Sequence, residues 1–307
     1  MKISVQPGDL WRLFGHETTY AMIREAGFDG IDWNLDHAWN HAEVKNGTLS
    51  YCVFEEDMDT IRKHYAQELA IIRKNNLQIL QAHAPFPSIV DGFPELSTRV
   101  PKIYENCIRL CRDAEIPYLV IHGISRAYDG SDMTRAEMIQ KNIDLYAPMI
   151  PIIKETGVMV LLENLFWDHD GASYDATCSD PHEAAELLDL LNAKAGAECF
   201  GLCFDMGHNN LLNWDMASYL KCLGSRIKAL HLHDNDGKGD WHMLPCAGTV
   251  DWGKLCTLLR EIGYDGAINF ETFCYYDLKR TLPSAVPVLL RYLAETGKVF
   301  AEAIHPT

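Results

Sequence analysis

The chain has 307 residues, 48% of them hydrophobic, with 27 Lys and Arg against 43 Asp and Glu and a formal net charge of −16. That length exceeds one ordinary domain but suits a (β/α)8 barrel, which takes about 250 residues plus loops. The charge repels polyanions and counts against a nucleic-acid partner. No run approaches the ~18 apolar residues of a membrane helix, and MKISVQPGDL is no signal segment, so a cytoplasmic protein without a membrane partner is expected.

In chain order, strand-like runs fall at Ile3 to Val5, Gly30 to Trp33, Leu77 to Ala82, Tyr118 to His122, Val158 to Glu163, Gly201 to Asp205, Ile227 to His233 and Ala267 to Glu271. Helical spacing lies between them, as at Thr98 to Ala114, Arg135 to Glu155, Pro181 to Ala193 and Trp252 to Ile262. Asp180 followed by Pro181 reads as a helix start, and Gly157, Gly196 and Gly263 as stops. Strands that are apolar on both faces and alternate with helices describe a parallel sheet covered by helices. An open doubly wound sheet would place a Gly-rich phosphate loop after the first strand, and Gln6-Pro7-Gly8-Asp9 is not one. The expected fold is α/β, a (β/α)8 TIM barrel forming one domain over 1–307 with an inserted loop at about 36–57. That loop holds His37, Trp39, His41 and Tyr51, a content that favours a binding loop or lid. The ten cysteines, in a chain with no secretion signal, read as reduced thiols.

Most of these apolar runs end on a carboxylate or an imidazole. Glu163, Asp205, His233 and Glu271 close the fifth to eighth strands, where acids crowded at one barrel mouth would repel each other without a cation. Three oxygens and one nitrogen suit a divalent metal ion: Mn2+, Zn2+, Mg2+ or Co2+. His83, His122, His208, Asp240 and His242 are further candidates, either for additional metals, for substrate, or as supports that orient the ligands.

The ordered set HAP, H-G, E-N, D-M-G-H, H-L-H-D-N, D-W-H followed by G-T-V-D-W, and E-T resembles the xylose-isomerase-like barrel superfamily over nearly the whole chain. That group includes sugar isomerases and epimerases, ketose 3-epimerases, inosose dehydratases and abasic-site nucleases. The ketose epimerase branch implies a metal on Glu163, Asp205, His233 and Glu271, with the two glutamates exchanging protons with the substrate and His208 contacting it. The nuclease branch implies three zinc ions on nine positions that this chain also carries.

Two features weigh against the nuclease. The loops after the strands carry Asp168, Asp170, Asp215, Asp234 and Asp236, whereas a DNA-binding mouth needs Lys and Arg. They also bring Trp33, Trp39, Trp167 and Trp214, whose faces suit a sugar ring as well as ordinary rim packing. Trp33, Trp167 and Lys238 are the candidate substrate contacts, and Arg12, Lys45 and Arg126 the other cations of the mouth loops. So few cations favour a neutral sugar or polyol over a sugar phosphate. The expected activity is metal-dependent sugar isomerisation or epimerisation: Glu163 and Glu271 move a proton next to a carbonyl through an enediolate, and His208 binds the oxyanion. An inosose-type dehydratase or a zinc-cluster nuclease is the alternative, and a homo-oligomer is compatible with either reading.

Overall fold

The computed structural model describes residues 1–88, 93–124, 133–272 and 282–306. Eight parallel strands form one sheet: β1 (Ile3–Val5), β2 (Gly30–Asn34), β3 (Gln78–His83), β4 (Tyr118–Val120), β5 (Met159–Glu163), β8 (Phe200–Asp205), β9 (Ile227–His231) and β10 (Ile268–Phe270). They pair in the order β10-β1-β2-β3-β4-β5-β8-β9. The two ends meet one residue beyond β9. There Leu232 donates its N–H to the Asn269 carbonyl at 2.9 Å and accepts from the Glu271 N–H at 3.1 Å, so the sheet closes into a barrel. This is the expected (β/α)8 architecture.

Alternation along each strand sends one set of side chains outward under the helices and the other into the barrel. The outward set, including Val160, Leu162, Leu202 and Phe204, joins the main hydrophobic core. The inward set divides in two. Val120, Leu161, Cys203 and Ala229 form a separate apolar cluster inside the barrel. Beside it Ser4, Asp32, Gln81, His231 and Asn269 are all buried and hydrogen-bonded to one another.

The helix punctuation works as read. Asp180 accepts from the His182 and Glu183 N–H groups ahead of Pro181, and the helices Ile150–Thr156 and Pro181–Ala195 stop at Gly157 and Gly196 in left-handed conformation. The single helix expected over Arg135 to Glu155 is in fact two. Arg135–Tyr146 gives way to a 3-10 turn at Ala147–Met149 before Ile150–Thr156, because Pro148 and Pro151 supply no N–H to a continuous helix.

A short antiparallel hairpin, β6 (Phe166–His169) and β7 (Ala172–Asp175), rises from the end of β5 and went unread in the sequence. Its signal was the Asp170-Gly171 pair, both residues at positive φ as a two-residue hairpin turn requires. The connection at 36–57 contains a short helix, His41–Lys45, and is fastened to the helix Val100–Asp113. Asn106 donates to the Phe54 and Glu56 carbonyls, and Arg99 pairs with Glu55.

Nine cysteines among the described residues are free thiols, seven of them buried. No described helix is long and apolar enough to cross a membrane.

Candidate metal centre

Parallel strands in a closed barrel all end on the same rim, so a polar residue finishing each strand is delivered to one mouth. Four groups of donor atoms there each fall within 4.8 Å of one another: Glu163, Asp205, His231 and Glu271; His83, His122 and Glu163; Asp205, His208 and His233; and His233, Asp240 and His242. All nine positions singled out in the sequence take part, and one more, His231, joins them.

His231 changes the expected central set. Its Nδ1 lies 3.0 Å from Glu163 Oε1 and 3.2 Å from Glu271 Oε2, and β9 pairs it directly with Asp205. His233, expected in that place, lies one pleat further out. Its Nε2 is 3.1 Å from Asp205 Oδ1 and 3.6 Å from Asp240 Oδ1, in the two neighbouring groups. Its ring lies flat over Gly207, where an added Cβ would come within 1.8 Å of the imidazole. That contact explains the glycine of the D-M-G-H run.

The donors are aimed as metal ligands commonly are, with one ring nitrogen anchored to protein and the other turned to the mouth. His83 Nδ1 donates to the Ala84 carbonyl at 2.8 Å, His208 Nδ1 to the Asn164 carbonyl at 2.7 Å and His242 Nδ1 to the Glu271 carbonyl at 2.7 Å. The freed Nε2 of His83 sits 3.0 Å from His122 Nε2 and 3.6 Å from Glu163 Oε2. The Nε2 of His242 is hydrogen-bonded to Asp240 Oδ2 at 2.9 Å.

Two supporting residues were not named as site residues from the sequence, although Asn164 is the second residue of the E-N run. Asn164 clamps the Asp205 backbone through both its amide atoms, at 2.8 and 2.7 Å. Gln6 donates to Glu271 Oε1 at 2.9 Å.

Electrostatics fits a cation. Burial opposes the charge of Glu163, yet His231 and the hydrogen bonds from His122, His231 and His83 hold its carboxyl well below the usual range. Burial also opposes charge on His242, but the Asp240 hydrogen bond pushes it up to about 9. His122 moves the other way, lowered mainly by burial, which leaves it a neutral donor of its lone pair. Three carboxylates and an imidazole converging in a buried space match a hard to borderline divalent ion.

The rim differs from the sequence reading in three places. Trp33 is core, 3% exposed, with its indole donating to Glu68 at 3.2 Å and its ring edge-on to Tyr65, so its face is not offered to a substrate. Trp39 is equally buried. Asp234 is no rim charge: fully buried, it accepts from the Asn235 and Val250 N–H groups and the Trp252 indole. Asp215 caps the helix Met216–Leu223 and pairs with Lys254. Asp168, Asp170, Asp215 and Asp236 are exposed acids, as expected. Trp167 is half-buried on the hairpin and stacked on His169, and Trp214 donates to Asp175 on the same hairpin. Lys238, Lys45 and Arg12 are exposed, Arg12 over the Trp11 ring; Arg126 lies outside the described residues.

A closed (β/α)8 barrel with a carboxylate and imidazole cluster at its mouth defines a class, and the chain belongs to the xylose isomerase-like TIM barrel family, whose model matches residues 20–295. It is 26% identical over 287 residues to an uncharacterized protein, y4fM, of Sinorhizobium fredii, covering 85% of this chain and 82% of that protein. It is 23% identical over 195 residues to the inosose isomerase of Halalkalibacterium halodurans, covering 61% of this chain and 63% of the relative. Among solved structures it is similar to the D-allulose 3-epimerase from Methylomonas sp. in complex with D-allulose, with a TM-score of 0.68 at 16% identity over 99% of this chain and 97% of the other.

Proposed function

We propose that the protein is a divalent-metal-dependent sugar isomerase or epimerase that moves a proton on a carbon next to a carbonyl. One observation carries this reading: Glu163, Asp205, His231 and Glu271 bring four ligand atoms within 4.8 Å at the barrel mouth. Relatives with sugar isomerase and epimerase names support it. Those four residues would hold the ion, Mn2+, Co2+, Mg2+ or Zn2+, which when bound supplies Lewis acidity toward a carbonyl and its neighbouring hydroxyl.

The remaining chemistry belongs to the side chains. Glu163 ends β5 and Glu271 directly follows β10, and these strands are not neighbours in the barrel. One can therefore take the carbon-bound proton, and the other return it from the opposite side of the substrate. Burial resists charge on His208, but Asp205 and Asp240 raise its pKa well above the usual range. With Nδ1–H committed to the Asn164 carbonyl, its Nε2–H, 3.8 Å from Asp240 Oδ2, is the one left to donate to the oxyanion of the enediolate. The described walls are imidazole and carboxylate, with Lys238 on the rim, and they suit the hydroxyls of a neutral sugar or polyol. The same base in an inosose-type dehydratase would expel a β-hydroxyl instead.

The test is turnover of an epimerisable ketose in deuterated water. Label should enter the product at the single carbon whose proton is exchanged. Product without label anywhere would overturn the proposal, and product lighter by one water would replace it with the dehydratase.

A second reading, a metal-cluster nuclease, is favoured by the three further donor groups around Glu163, Asp205 and His233. Electrostatics opposes it: at −16 the protein meets a duplex carrying about one negative charge every 1.7 Å. A duplex with one abasic site should stay intact at low salt with zinc supplied, where any attraction is strongest. Efficient incision that weakens steeply with added salt would restore the nuclease.

A further inference from the structure

Inside the barrel, beneath His231, lies one more buried carboxylate. Asp32 on β2 is fully buried, and its Oδ2 receives three donors: His231 Nε2 at 3.0 Å, Gln81 Nε2 at 3.0 Å and Asn269 Nδ2 at 3.2 Å. Ser4 in turn donates to Asn269 Oδ1 at 2.7 Å, which fixes the way that amide points. The donors to its Oδ2 include no Lys or Arg, and a carboxylate buried this deeply is costly, so its place in the floor of the site calls for a reason.

We propose that Asp32 is a positioning residue for the metal, holding His231 in the one tautomer and orientation that aim its Nδ1 lone pair at the ion. The inference rests on the reading that Glu163, Asp205, His231 and Glu271 bind a divalent cation. The chemistry is local. Asp32 Oδ2 offers only lone pairs, so the proton of a neutral His231 must sit on Nε2, and Nδ1 is left bare. Nδ1 faces Glu163 Oε1 and Glu271 Oε2, which are also acceptors. Without an ion, a proton on Nδ1 shared with Glu163 Oε1 at 3.0 Å keeps these acceptors together, and a bound ion takes that proton's place.

The other imidazoles with an anchored nitrogen lean on neutral carbonyls. At His231 the nitrogen turned away from the mouth leans on a carboxylate instead, which raises its basicity as a ligand as well as fixing its orientation. The Gln81 and Asn269 amides hold Oδ2 in place beneath the ring.

The test compares wild-type protein with Asp32→Asn, Asp32→Ala and Ser4→Ala, using Zn2+ as the probe. Zn2+ affinity at His231 is followed through the ring 15N shifts, and the stability of each protein without metal through its melting temperature. Asp32→Asn keeps an acceptor but removes the charge, and should weaken Zn2+ binding about 10- to 100-fold with little change in melting temperature. Asp32→Ala should weaken it at least as much and release the Nε2–H signal from its single state. Ser4→Ala, one step removed, should stay within about twofold of wild type.

Equal Zn2+ affinity in wild type and Asp32→Asn would overturn the inference while leaving the metal reading intact. Wild-type protein that binds no Zn2+ would sink both. Should the Asp32 variants not fold, the loaded wild type still decides: a proton on Nδ1 of His231, with Nε2 bare, would refute the arrangement.

Discussion

Glu163→Gln should lower turnover roughly a hundredfold or more. Glu163 is 2% exposed and is shared between two donor groups, with Oε1 turned to His231 and Oε2 to His122 and His83. The amide keeps the shape and one acceptor, but it cannot take a proton from carbon and it removes one negative charge from the ligand set. Two losses are therefore combined, and metal content has to be measured beside the rate. Turnover that stays low after the variant is saturated with metal assigns Glu163 a proton-transfer role. Turnover that recovers fully on saturation would limit it to a ligand, and the proposed base would then have to be Glu271 alone.

Substitution of Asp205 should separate folding from metal binding. Its carboxylate does two things at once: Oδ1 accepts from the His208 N–H at 2.7 Å, capping the helix Met206–Leu211, and the same group faces the buried His233 Nε2 at 3.1 Å. Asp205→Ala loses the cap and strands a buried imidazole, a combined cost of about 2–4 kcal/mol. Asp205→Asn keeps a good capping oxygen and a side chain of the same shape, so its melting temperature without metal should stay near wild type. Both variants should bind the divalent ion more than about a hundredfold more weakly, since a ligand itself is lost rather than a support for one. Chemical denaturation of the metal-free proteins and chelator competition measure the two effects separately. An Asn variant that melts as low as the Ala variant would show that the charge, rather than the cap, holds this corner of the barrel together.

Much of this molecule is legible along the chain. Eight apolar runs separated by helical spacing led to the barrel because a strand buried on both faces and followed by a helix has few other homes. Polar residues at Glu163, Asp205 and Glu271 stood out because each interrupts a run at the point where a parallel strand leaves the core. The helix starts and stops at Asp180, Gly157 and Gly196 were equally plain, being decided by backbone groups within one turn. The hairpin at Asp170-Gly171 was readable by the same local rule and was obscured by its polar, exposed strands.

What the chain order leaves open is depth. His231 and His233 are two residues apart, so both point into the barrel, and the sequence reading took His233 as the ligand because it closes the run. Only the pairing of β9 with β8 sets His231 beside Asp205 and leaves His233 a pleat higher, against Asp240 and His242. The same holds for Asp32 and Trp33. Period two puts them on opposite faces, but which face is the inside depends on how β2 lies against β3, where the register shifts between Ile31 and Asp32. The extra residue, Leu80, lies in β3 and brings Gln81 level with Asp32, while β2 alternates unbroken, with Ile31 and Trp33 in the outer core and Asp32 inside. Asp234 reads as a rim charge until the fold wraps the Asn235 and Val250 N–H groups and the Trp252 indole around it. Spacing along a strand fixes which residues share a face, whereas their height on that face and the partners they meet come from contacts between segments far apart in the chain, which only the closed barrel brings together.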